Sequence, residues 1–97
     1  MIKFTTEGNT LICSFSGKMD TESCQESSED LLKNVKESKG PVVFDLEKVD
    51  YVSSLFLGLC IAALKQLGAD NFSIINIHPN VKKVLKIAKM DTLIKLK

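Results

Sequence analysis

The sequence is poor in the residues from which catalytic and metal sites are usually built. It contains one histidine and three cysteines, and the cysteines form neither a CxxC pair nor a spacing typical of metal ligands. His78 directly precedes Pro79 at the start of a predicted helix, so we expect an exposed loop or capping residue there and not a catalytic base. The glycines form no phosphate-binding loop, since Gly17, Gly58 and Gly68 are isolated. We therefore predict no enzyme activity, no metal and no cofactor.

Long apolar segments and an excess of one charge are also missing. The longest apolar run, Leu55–Leu64, is far shorter than the roughly 20 residues of a membrane helix, and the N-terminus lacks the apolar region of a signal peptide. The formal net charge is +1, so we expect neither nucleic-acid binding nor direct membrane insertion, and we interpret the lysines of the C-terminal third as a solvated face. Three cysteines without a disulfide framework predict free thiols at Cys13, Cys24 and Cys60 and a cytoplasmic location.

The length and composition predict a single small domain over residues 1–97. A hydrophobic fraction of 44% with 26% charged residues suits one two-layer core, as a monomer or weak dimer. Strand-like and helix-like segments alternate in the order ββαβαβαβ, which predicts an α/β fold with a mixed four- to five-stranded sheet and helices mainly on one face. The apolar run Val42–Leu46 is typical of a central strand covered on both faces.

The predicted helix Ser54–Leu67 is apolar on more than one side. A first set recurs at helical spacing and predicts a core-facing stripe, namely Leu57, Cys60, Ile61, Leu64 and Leu67. A second apolar set remains, namely Leu55, Phe56, Leu59, Ala62 and Ala63. Either the helix is buried on all sides, or the second set is an exposed surface for a protein partner. Because 97 residues offer little material to bury a helix completely, we favour a partner surface centred on Phe56 and Leu59 with Leu55.

Two adjacent serines begin this helix. Ser53 is predicted to be its N-cap, with the hydroxyl accepting a hydrogen bond from a first-turn N–H group. Ser54 would lie in the first turn, where the positive end of the helix favours a phosphate. Because a phosphoryl group adds about −1.5 to −2 charge, phosphorylation of Ser54 would repel a partner from an apolar contact surface. A small hydrolase that uses Ser54 is the least favoured hypothesis, because no base is apparent.

Several motifs, in order, resemble those of STAS domains, the family of bacterial anti-sigma-factor antagonists. Residues 17–20 (GKMD) are similar to the Gly-x-Leu-Asp that precedes the first helix of the family. Residues 43–52 resemble its central strand and the approach to its signature loop, and residues 75–85 resemble its last strand and helix. The signature itself differs, because Leu55 and Phe56 replace a small residue and a glycine.

The resemblance implies a non-enzymatic interaction module that binds an anti-sigma factor or switch kinase. By the same register, Ser54 falls on the serine that a partner kinase phosphorylates in regulatory members. Asp20 and Asp45 would border the same end of the sheet as Ser54, where we expect helix-capping and loop hydrogen bonds. The alternative is a cytoplasmic STAS subunit of an ABC-type lipid transporter that contacts the transporter ATPase. The bulky Leu55 and Phe56 favour this alternative, since they would obstruct a kinase.

Overall fold

The computed structural model describes residues 2–97, which form one five-stranded mixed sheet with three helices. The strands lie in the spatial order β1 (Ile2–Glu7), β2 (Thr10–Ser16), β3 (Val42–Lys48), β4 (Phe72–Ile75) and β5 (Lys95–Leu96). The β1–β2 pair is antiparallel, and the β2–β3, β3–β4 and β4–β5 pairs are parallel. The helices are α1 (Thr21–Glu37), α2 (Ser54–Leu67) and α3 (Pro79–Ile87), and short 3-10 turns occupy Ala69–Asn71 and Met90–Thr92. The predicted α/β fold and the order ββαβαβαβ are confirmed.

The helices cover one face of the sheet. Each helix connects two neighbouring parallel strands, and all three crossovers advance in the same direction across the sheet. Because such crossovers are right-handed, the three helices lie on the same face. In β3, Phe44 and Leu46 are buried on that face, whereas Val43 and Asp45 point to the other face and are only partly buried. The prediction that this strand is covered on both faces is therefore wrong.

A chain of aromatic rings links the sheet to α2. The rings of Phe15 and Phe44 pack edge to face with centroids 5.0 Å apart, and those of Phe44 and Phe72 lie 4.7 Å apart. Phe56 of α2 joins them by packing edge to face on Phe15, with centroids 5.3 Å apart. Such pairs contribute about 0.5–1.5 kcal/mol each beyond the area they bury. Phe56 therefore fixes the start of α2 on the sheet.

No helix within residues 2–97 is both long and apolar enough to cross a bilayer.

Gly40 lies where the loop before β3 passes the β1–β2 turn. A Cβ atom at this position would collide with the backbone carbonyl oxygen of Asn9 and lie 2.9 Å from the Asn9 Cβ. Because backbone atoms must move to relieve the overlap, we expect Gly40→Ala to lower the free energy of unfolding by about 1–3 kcal/mol. Urea unfolding measures the change. Gly58→Ala is the matched control, since a Cβ at Gly58 meets nothing within 4 Å, and equal midpoints for the two variants would contradict the close contact.

Candidate functional site

The segments that precede α1 and α2 are paired side by side. Met19 and Val52 form an isolated parallel bridge. The Met19 N–H group donates to the Tyr51 carbonyl over 3.1 Å, and the Ser53 N–H group donates to the Met19 carbonyl over 2.9 Å. Met19 and Val52 are also buried. This pairing brings the first turns of α1 and α2 to the same region of the covered face.

Ser53 is the N-cap of α2 and is almost completely buried, with 8% of its surface exposed. Its hydroxyl oxygen accepts a hydrogen bond from the Phe56 N–H group over 3.4 Å. The Cys24 thiol of α1 lies 3.8 Å from the same hydroxyl and also donates to the Met19 carbonyl over 3.6 Å. Ser53 therefore has a structural role, satisfying a backbone donor of α2 beneath α1.

Ser54 differs from its neighbour in exposure and in bonding. It is the first residue of α2 and is exposed to solvent. Within residues 2–97 its side chain has no hydrogen-bond partner, and the first turn of α2 carries no acidic side chain. The positive end of the helix dipole is therefore not neutralised by a carboxylate at this point. An anionic group attached to Ser54 would lie in a favourable field and in contact with solvent.

The two aspartates predicted for this region have separate roles. Asp20 caps α1, because its side-chain oxygen Oδ1 accepts the Ser23 N–H group over 2.9 Å, and this hydrogen bond lowers the pKa of the Asp20 carboxyl. Asp45 lies on the face of the sheet that the helices leave open. There its Oδ1 accepts the Glu47 N–H group over 3.0 Å and the Asn76 side-chain amide over 3.2 Å. Asp45 is thus a loop-stabilising residue on the face opposite α2 and is not part of a site with Ser54.

The buried stripe of α2 differs from the predicted one. Its buried residues are Phe56, Leu59, Cys60 and Ala63. The prediction that Phe56, Leu59 and Ala63 are exposed is wrong. The side of α2 that carries Phe56 faces the sheet, where the Phe56 ring packs on Phe15. Of the residues predicted to face the core, Cys60 is buried, and Leu57, Ile61, Leu64 and Leu67 are partly buried and pack against the core.

The outer side of α2 is formed by Ser54, Gly58, Ile61 and Lys65, which we call the outer ridge. These positions follow one another at intervals of four, three and four residues, so they share one side of the helix. Ser54, Gly58 and Lys65 are exposed and Ile61 is partly buried. The ridge is flanked by three partly buried apolar residues, namely Leu55, Leu57 and Ala62. Of the predicted contact set, Leu55 and Ala62 remain accessible to a partner.

Tyr51, Gly58 and Ile61 are surface residues of this region that the sequence prediction missed. Tyr51 is 50% exposed and lies two residues before the α2 cap. The sequence did contain a signal, since Ser54, Gly58 and Lys65 are non-apolar and fall on one side of a helix. The side opposite these three residues is the one that packs on the sheet.

The remaining candidate groups have structural explanations. The His78 imidazole Nδ1 accepts the Asn80 N–H group over 3.1 Å and caps α3. Cys13, Cys24 and Cys60 are free and buried. Burial raises the pKa of the Cys13 thiol to about 12 and also raises the pKa of Cys24 and Cys60. These thiols stay protonated at neutral pH and are poor nucleophiles.

The family model of the STAS domain matches residues 1–97. The chain belongs to the STAS domain family. Among solved structures, an anti-sigma-factor antagonist (STAS) domain protein from Planctomyces limnophilus superposes with a TM-score of 0.89 at 19% identity, covering 98% of this chain and 87% of that one. An anti-sigma factor antagonist from Mycobacterium paratuberculosis superposes with a TM-score of 0.89 at 20% identity, covering 99% of this chain and 83% of that one. The anti-sigma factor antagonist SpoIIAA in its unphosphorylated form superposes with a TM-score of 0.82 at 14% identity, covering 100% of this chain and 88% of that one. The search of curated proteins found no match. At these identities the structural similarity establishes the STAS fold.

Proposed function

We propose that this STAS domain is a non-enzymatic, cytoplasmic interaction module that binds an anti-sigma factor or switch kinase and so releases a sigma factor. Its contact surface is the outer ridge of α2 with the flanking Leu55, Leu57 and Ala62, and Ser54 is its phosphorylation site. The observation that carries the proposal is the different exposure of the two serines. Ser53 is buried, and its hydroxyl caps α2 by accepting a hydrogen bond from the Phe56 N–H group. Ser54 is exposed and adjacent to apolar surface, and its side chain has no hydrogen-bond partner within residues 2–97.

The burial of Phe56 supports regulation at Ser54. In the sequence, Phe56 in place of a glycine suggested an obstacle to a kinase and thereby favoured the transporter alternative. Its side chain instead lies under α2 against Phe15 and is fully buried. It therefore leaves the solvent side of Ser54 open. Of the two bulky residues only Leu55 is partly exposed beside the serine. Among the structurally similar proteins, SpoIIAA is described in both an unphosphorylated and a phosphorylated form.

The proposal predicts that Ser54→Asp weakens binding of the anti-sigma factor about tenfold without destabilising the domain. The added charge would enter an apolar contact, whereas in the free protein it lies at a helix N-terminus, where a carboxylate stabilises by about 0.3–1 kcal/mol. Titration calorimetry with purified anti-sigma factors from the same organism measures the affinity. Urea unfolding of each variant measures the stability.

Two further variants isolate the position of the charge. Ser54→Ala should bind normally and should abolish phosphorylation of the chain by a partner kinase. Asn80→Asp places the same charge in the first turn of α3, where Asn80 is exposed, and it should leave the affinity unchanged. Equal affinities for Ser54→Asp and the unmodified protein would refute a switch at Ser54. Selective binding of a transporter ATPase, with no affinity for any anti-sigma factor, would favour the alternative function.

A further inference from the structure

The outward surface of α3 is strongly cationic. Its three lysines, Lys82, Lys83 and Lys86, line one shallow depression together with Pro79 and Ile87. A neighbouring depression shares Lys82 and Lys86 and continues to Asp91, Leu93 and Lys95. We call this continuous surface the lysine face. Residues 78–97 contain six lysines and a single acidic residue, Asp91, and the chain contains no arginine.

The lysine face also exposes aliphatic side chains. Ile87 is 74% exposed and Leu93 47%. The core-facing residues of α3 are Val81 and Leu85, so the burial of α3 on the sheet does not require Ile87. A merely solvated basic surface would explain the lysines but not these aliphatic residues among them. Within residues 2–97, no salt bridge engages the lysines of this face.

We propose that the lysine face docks on an anionic lipid bilayer. Clustered lysines on one helix are attracted to the negative surface potential of anionic lipids. An exposed aliphatic residue among them can enter the boundary between headgroups and acyl chains. The interaction is peripheral and separate from the Ser54 surface on α2, so it goes beyond the proposed function. It also locates a positive field that the net charge of +1 conceals.

The acidic helix α1 of a second copy is a weaker candidate for the occupant. Its exposed acidic residues Glu22, Glu26 and Glu29 share the outward side of α1, so the charges are complementary. However, exposed ion pairs contribute little, and this side of α1 carries no apolar side chain to receive Ile87. A bilayer satisfies the lysines and the aliphatic residues together.

Sedimentation of the full chain with vesicles tests the proposal. We expect binding to vesicles of 70% phosphatidylcholine and 30% phosphatidylglycerol, with little binding to phosphatidylcholine alone and at least a tenfold weakening between about 0.02 and 0.2 M salt. Lys83→Glu/Lys86→Glu should weaken binding at least tenfold. Ile87→Ser should weaken it about three- to tenfold without changing stability, since Ile87 is mostly exposed.

The matched control is Lys33→Glu/Lys36→Glu on α1. Each Lys→Glu change alters the charge by −2, so both double variants move from +1 to −3. Lys36 and Lys86 are also the basic residues of the last turns of their helices. The control should retain vesicle binding. The proposal is overturned if both double variants lose vesicle binding equally, or if the unmodified chain does not bind anionic vesicles. It is also overturned if the α3 variant changes only concentration-dependent self-association and not vesicle binding.

Discussion

Replacing Phe56 with alanine is expected to destabilise the domain by about 3–5 kcal/mol. The side chain is fully buried, and its ring packs edge to face on Phe15 with centroids 5.3 Å apart. Truncation would remove this contact and leave a cavity between α2 and the sheet. Since small domains are stable by only about 5–15 kcal/mol, the loss is large. Urea unfolding at low temperature, followed by circular dichroism, measures it.

Two further variants make the result interpretable. Tyr51→Ala truncates a half-exposed aromatic residue close to the same helix start, and it should change stability by no more than about 0.5 kcal/mol. Phe56→Leu retains most of the buried volume and provides a folded variant if the alanine variant does not fold. If Phe56→Ala unfolds at the same urea concentration as Tyr51→Ala, Phe56 is not a core residue.

The strand and helix pattern was predictable because each element carries its own local signal. The α2 boundaries Ser54–Leu67 agree with the prediction, since Ser53 supplies a cap and Gly68 follows the last turn. The last strand is short, Lys95–Leu96, because the preceding Leu93 and Ile94 donate backbone hydrogen bonds to the Met90 carbonyl and continue the 3-10 turn.

The rotation of α2 about its axis was not predictable from apolar periodicity. Residues 55–57 and 59–64 are all apolar, so two stripes fit a helical period equally well. What selects between them is tertiary packing, because the Phe56 ring packs edge to face on Phe15, which in turn packs on Phe44. The fit of side chains between α2 and the sheet, and not apolar periodicity, therefore determines the rotation of the helix. The non-apolar positions Ser54, Gly58 and Lys65 carried the usable local signal, because a core-facing side would not contain them.

This rotation changes the expected chemistry of the contact surface. The predicted surface was a large aromatic and aliphatic patch centred on Phe56. The outer ridge is smaller and flatter, with an open position at Gly58 between Ser54 and Ile61. A glycine within a helix costs about 0.5–1 kcal/mol relative to alanine, and a Cβ at Gly58 would meet no atom of residues 2–97 within 4 Å. Close approach of a partner at Gly58 would account for it.

Gly58→Glu is therefore expected to weaken partner binding on the order of a hundredfold while the domain stays folded. The residue lies one turn after Ser54 on the outer ridge, so a carboxylate there would be buried against the partner without a counter-charge, which costs roughly 2–5 kcal/mol. Gly58→Ala should raise the free energy of unfolding by about 0.5–1 kcal/mol, because the backbone is helical and the Cβ is unhindered. Calorimetric titration with the anti-sigma factor measures the binding affinity, and urea unfolding measures the free energy of unfolding.

Gln66→Glu is the matched control, since Gln66 is exposed on α2 outside the ridge, and it should bind normally. Equal affinities for Gly58→Glu and Gln66→Glu would show that the partner does not contact the outer ridge of α2.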